Sequence, residues 1–181
     1  MSLLDKVVAT VTPEPSEAHK REARHKLRAN VRAGWAQMVV DHHEQVEAAF
    51  AAVKSATTAA AQRDAQKRLA TLLTGHSMAE EAVLYPAMAL TDQKAHSTTA
   101  YTQQSATKVQ TAALDDLEPL SQDYLDKLEH LRAAVSHHVY EEEHQWFPKL
   151  AEADASKQAQ LTARYQEEFD RYMKTGAAPA G

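Results

Sequence analysis

From Trp35 to Phe50 the apolar residues Trp35, Met38, Val39, Val46 and Phe50 return at helical intervals, so they share one face of a helix. A second run from about Thr58 carries Leu69, Leu72, Leu73, Val83 and Leu84 and is expected to stop near Pro86. A third runs from about Gln93 to Leu117 and ends at Glu118 and Pro119, because the residue before a proline is pushed out of the α region. Ser121 then caps a fourth helix, with Tyr124, Leu125, Leu128, Leu131, Val135 and Val139 on one face, continuing to Pro148. Two segments flank these four. A polar helix opens on the cap Ser16 and runs to about Asn30, and an amphipathic one from about Ser156 holds Leu161, Tyr165, Phe169 and Tyr172. Gly34 marks a break or a close contact. The pattern predicts an all-α fold, an up-down four-helix bundle made of two duplicated helical hairpins with extra N- and C-terminal helical segments. Residues 1–15, which end in two prolines, read as an arm, 16–174 as one domain and 175–181 as a flexible tail.

Composition supports the helical reading. Four glycines and six prolines in 181 residues leave little turn chemistry for a many-stranded sheet. A formal charge of −5, with Lys and Arg scattered, argues against nucleic acid or an anionic membrane surface as partner. No apolar stretch reaches bilayer length and no signal peptide is recognisable, so a cytoplasmic protein is expected. The absence of cysteine changes the picture most: a metal here must be held by His, carboxylate, Tyr or amide oxygen, because thiolate and iron–sulfur sites are excluded.

Such a donor set occurs twice. With an offset of 62 positions, His76, Glu80, Glu81, Tyr85 and Pro86 fall on His138, Glu142, Glu143, Phe147 and Pro148, and Leu69 falls on Leu131. Residues i and i+4 lie on one helix face a turn apart, so each His–Glu pair can reach ions lying against its helix. A single copy is ordinarily a solvated pair; two copies at matched distances from aromatic–proline stops point to metal. Mixed nitrogen and oxygen donors suit iron or manganese better than calcium, with zinc also compatible. Glu81 and Glu143, one residue round, are expected to face a neighbouring helix, the surroundings of the site or solvent. Tyr85, Trp146 and Phe147 read as packing residues.

On the first helix Val39 and Val46 lie one turn before and one turn after His42, which favours His42 over His43 as a fifth ligand. The offset carries His42 onto Gln104, so the second half lacks its histidine. Gln104 offers an amide oxygen and Tyr101, one turn earlier, a phenolate; alternatively, Gln104 only hydrogen-bonds a metal-bound water.

At these residues the chain resembles the hemerythrin-like family of HHE cation-binding domains, over about residues 35–150. The resemblance implies two non-haem irons in a helical bundle, with ligands His42, His76, Glu80, His138 and Glu142, and with Gln104 in the slot of a missing histidine. An asymmetric centre is therefore expected, which binds or senses oxygen, nitric oxide or peroxide. The alternatives are a di-iron oxidase or catalase-like enzyme, with Tyr101 as ligand or redox-active side chain, and a metal-free helical interaction module. The outer helical segments could cover the bundle or form a homodimer contact.

Overall fold

Side-chain caps start three of the helices where the sequence places polar residues ahead of apolar runs. The computed structural model describes residues 15–30 and 34–176. Ser16, Thr58 and Ser121 are extended, and each accepts a hydrogen bond from the backbone N–H three residues on, which satisfies one otherwise unpaired donor of the first turn. The elements are α1 (Glu17–Arg28), α2 (Gly34–Ser55), α3 (Ala59–Ala79), α4 (Tyr85–Ala89), α5 (Lys94–Ala112), α6 (Gln122–Glu141), α7 (Phe147–Leu150) and α8 (Ala155–Gly176). Among the described residues there is no strand. The expected arm lies outside them except for Pro15, as do residues 177–181 of the expected tail.

Pro86 and Pro148 do not end their helices. A π-turn, Glu80–Leu84, joins α3 to α4, and a second, Glu142–Trp146, joins α6 to α7. In each, the backbone N–H five residues on, Tyr85 or Phe147, bonds to the carbonyl of the glutamate that opens the turn. Proline has no N–H to give to the carbonyl four residues back, and its ring would clash there in a regular helix. The wider turn relieves that conflict and lets the chain continue. The third helix is shorter than expected: after Ala112 the chain passes through turns to Ser121.

Helix α2 packs on α3, α3 on α5, α5 on α6 and α6 on α2, which closes a helical bundle. The outer helices each cover a π-turn. Helix α1 lies on α2 and the second π-turn, and α8 lies on α2, α3 and the first π-turn.

The core is divided in two. Trp35, Val39, Val40, Val83, Trp146 and Phe147 belong to one buried cluster; Val46, Phe50, Leu69, Leu73, Leu131 and Val139 belong to the other. The chain passes between the two clusters at polar residues: His43 in α2, His76 and Glu80 where α3 meets the first π-turn, and Glu142 where α6 meets the second, with Gln104 of α5 buried beside them. The polar layer is thus sealed above and below by hydrocarbon, where an unpaired polar group is costly and a charge more so.

Candidate metal centre

His43, His76, Glu80 and Glu142, all buried, bring one ligand atom each to within 4.8 Å of one another, a grouping able to hold a metal ion. Glu142 spans the layer. Its Oε2 lies 3.3 Å from His43 Nε2 and its Oε1 3.3 Å from His138 Nε2. Glu80 faces the other pair, with Oε2 3.2 Å from His76 Nε2 and Oε1 3.9 Å from His43 Nε2, and it reaches across the layer through Oε2, which lies 3.1 Å from Tyr85 Oη. The two carboxylates therefore stand between a pair of imidazoles at one end, His43 and His76, and a single imidazole at the other, His138.

The single-imidazole end contains a hydroxyl. Tyr85 Oη donates to Glu142 Oε1 at 2.7 Å and accepts from Gln104 Nε2 at 2.5 Å, and it lies 3.2 Å from His138 Nε2. Gln104 Nε2 also donates to Glu80 Oε2 at 2.6 Å. The π-turn explains how Tyr85 gets there. In a regular helix, residues five apart point about 140° away from each other, whereas a π-turn sets them on one side of the helix.

The donor atoms pass a test of fit for a cation. His43 Nε2, His76 Nε2, Glu80 Oε1, Gln104 Oε1 and Glu142 Oε2 are all buried and without a well-directed hydrogen bond, although His43 Nε2 and Glu142 Oε2 lie 3.3 Å apart. Orphaned polar atoms are rare in protein interiors. Five around one layer, all nitrogen or oxygen, match the donors a borderline metal takes. A cavity of about 10 Å³ is lined by His43, His76, Gln104 and His138. Ser77 and Thr107 line both this cavity and a groove of about 470 Å³ running beside α3 and α5.

Burial and neighbouring charges move the ionisable groups of the layer in opposite directions. Burial, then the charge of Glu142, pushes the Glu80 carboxyl well above its ordinary range. Burial would raise Glu142 too, but His138 and His43 hold it well below. Burial would lower His43, yet Glu142 and Glu143 raise it to about 10. Burial, then His43, holds His76 well below its ordinary value. Burial, then Glu142 and Glu80, keeps the Tyr85 hydroxyl protonated.

Of the residues expected from sequence, His76, Glu80, His138 and Glu142 meet in this layer. His42 does not. Its ring stacks on Phe169 with centroids 3.8 Å apart, and its Nδ1 is 3.0 Å from Tyr165 Oη; His43 stands in the cluster in its place. Helix α2 is covered by α3, α6 and α8, so its buried arc takes in both histidines, and the stripe of Val39 and Val46 is equidistant from the two. Phe50 is the signal that separates them, since it projects within about 20° of His43. Tyr101 also lies aside. Its hydroxyl donates to the Glu81 carbonyl at 2.7 Å and its ring meets the edge of Tyr85. Gln104 is in the layer as a donor to Glu80 and Tyr85, with its oxygen unpartnered. Glu81 pairs with Lys108 at 2.6 Å, and Glu143, fully buried, with His43 Nδ1 at 2.8 Å. Tyr85, read as packing, is the polar residue the pattern concealed. The repeat did carry a sign of it: Tyr85 aligns with Phe147, so a hydroxyl occurs only in one copy.

Residues 36–150 match the protein family described as "Hemerythrin HHE cation binding domain". The chain belongs to this family. The match spans the stretch on which the resemblance was read, and it includes every member of the polar layer. Comparison with curated proteins and with solved structures gives no match. The HHE domain of this chain thus combines an all-α fold with a buried His/Glu cluster suited to a metal ion. Among the described residues, no helix is long and apolar enough to cross a membrane.

Proposed function

We propose that this HHE domain holds non-haem iron in two unequal positions and uses it to bind or sense a small oxygen or nitrogen-oxide ligand. The observation that carries the reading is the set of five buried atoms without a well-directed hydrogen bond converging on one layer. His43 and His76 would hold one ion and His138 the other, with Glu80 and Glu142 between them. The second position has Tyr85 and Gln104 where the first has a second imidazole, and that supports the inequality. Bound iron would supply an open, redox-active coordination position for the ligand. The residues do the rest: Gln104 and Tyr85 offer hydrogen bonds, and the two hydrocarbon clusters exclude water.

An oxidase or catalase-like activity is favoured by one observation, the Tyr85 hydroxyl, which can hold or pass a proton beside Glu142. Tyr101, tied to a backbone carbonyl, no longer supports it. A metal-free interaction module would have to bury Glu80 and Glu142 together with only the His43 imidazolium between them, which is costly.

Anaerobic loading with ferrous iron, metal analysis and thermal melting test the reading. Uptake of up to two irons, with a melting temperature raised above that of the chelator-treated protein, is the expected result. A protein that takes up no iron, manganese or zinc and melts unchanged would end it.

A further inference from the structure

Arg24 on α1 and Tyr165 on α8 both lie outside residues 36–150, yet Tyr165 touches one histidine of the polar layer and Arg24 a carboxylate bonded to another. Arg24 Nε lies 3.0 and 3.1 Å from the two oxygens of Glu143, whose Oε1 is 2.8 Å from His43 Nδ1. Glu143 is fully buried, so the guanidinium is the counter-charge that lets a carboxylate stand there. Tyr165, also fully buried, sets its hydroxyl 3.2 Å from His76 Nδ1 and 3.0 Å from His42 Nδ1. His138 is treated differently: its Nδ1 donates to Gln103 Oε1 at 2.6 Å, a partner within the family-matched stretch.

We infer that the two helices flanking the family core complete the paired-imidazole end of the site, with Tyr165 positioning His76, and Arg24, acting through Glu143, positioning His43. The inference rests on the metal-binding reading above. An imidazole presents one ring nitrogen to a metal only if the other carries the proton, and the partner of that proton sets both tautomer and ring direction. Glu143 can only accept, so it holds the proton of His43 on Nδ1 and leaves Nε2 facing the layer. Tyr165 must accept from His76 Nδ1, and its own O–H is then free to donate to His42 Nδ1. His42 thereby fixes the direction of that hydroxyl. Each flanking helix also lies on the π-turn beside its target, so docking of the helix and orientation of the ligand are one event.

Tyr165→Phe keeps the ring and removes the hydroxyl. In metal-free wild-type protein, ring-nitrogen NMR should find His76 protonated at Nδ1, and Tyr165→Phe should lose that preference. Competition with a chromophoric chelator for ferrous iron should show affinity falling about 10- to 100-fold at one of the two positions. Arg24→Gln should act likewise through His43. Leu161→Ala, which loosens α8 without touching the hydroxyl, should lower the melting temperature and leave the His76 tautomer and the iron affinity in place. Unchanged tautomer and affinity in Tyr165→Phe would overturn the inference, and so would a Leu161→Ala variant that loses as much affinity as Tyr165→Phe. A wild-type protein without iron uptake would instead sink the metal reading, while the tautomer measurement would still decide whether Tyr165 orients His76.

Discussion

Replacing Tyr85 by phenylalanine takes one oxygen atom out of the polar layer and leaves the packing around it in place. The ring is fully buried, with its centroid 5.2 Å from that of Tyr101, and phenylalanine keeps that contact. The hydroxyl is lost from four neighbours, Glu80, Gln104, His138 and Glu142. Gln104 keeps its bond to Glu80, and Glu142 Oε1 keeps His138 at 3.3 Å, but the 2.7 Å donation to the Glu142 carboxylate disappears without replacement. A hydrogen bond to a charged group contributes about 1.5–3 kcal/mol. The metal-free variant should therefore lose about 2 kcal/mol, which for a chain of this size lowers the melting temperature by roughly 4–8 °C. Tyr101→Phe is the matched comparison: it removes a neutral bond to a backbone carbonyl at a partly exposed residue, and should cost about 1 kcal/mol or less. Calorimetry in chelator, followed by ferrous iron titration, reads both effects. Iron affinity should fall in Tyr85→Phe at the position beside His138 and stay unchanged in Tyr101→Phe. If Tyr85→Phe melts no lower than Tyr101→Phe and binds iron as wild type does, the hydroxyl is not part of the site and the reasoning fails.

Three further outcomes follow from the same geometry. His43→Ala should abolish iron uptake at one position, whereas His42→Ala should retain the stoichiometry; the reverse result would move the ligand back to His42. Against burial, Glu142 and Glu143 raise His43 to about 10, so it carries an extra proton at neutral pH in the metal-free protein, while burial and Glu142 shift Glu80 upward. Binding a cation at His43 must expel that proton, so about one proton or more should be released on loading, with apparent affinity rising as pH rises through neutrality; an indicator dye in weakly buffered solution that records no release would contradict this. Finally, a Cβ at Gly75 would meet Tyr172 and Met173 of α8 at 3.0 Å, so Gly75→Val should push α8 away, cost about 1–3 kcal/mol and expose α8 to proteolysis; an unchanged melting temperature would show that α8 does not dock there.

Much of this protein is set by local pattern. The caps at Ser16 and Ser121, the apolar stripes, and the duplicated His76/Glu80 and His138/Glu142 pairs all depend on residues within two turns of one another, and such spacing is legible along a chain. The lack of cysteine and the mixed His/Glu donors narrowed the chemistry in the same way. The helix ends at Pro86 and Pro148 were not legible, because a π-turn is a compromise between a missing N–H and the demands of packing on both sides. That one deviation also concealed Tyr85, which a regular helix would turn away from Glu80. Tertiary packing decided the rest. His42 and His43 are adjacent and both buried; Phe50 alone along the sequence favours His43, and the packing of α8 against α2 is what sets the ring of His42 on Phe169. The roles of Arg24 and Tyr165 are still further from sequence, since each acts across more than eighty positions of chain on a histidine or on its partner. Spacing can place a donor on a helix face, but the proton on its other nitrogen is set by whatever the fold brings against it.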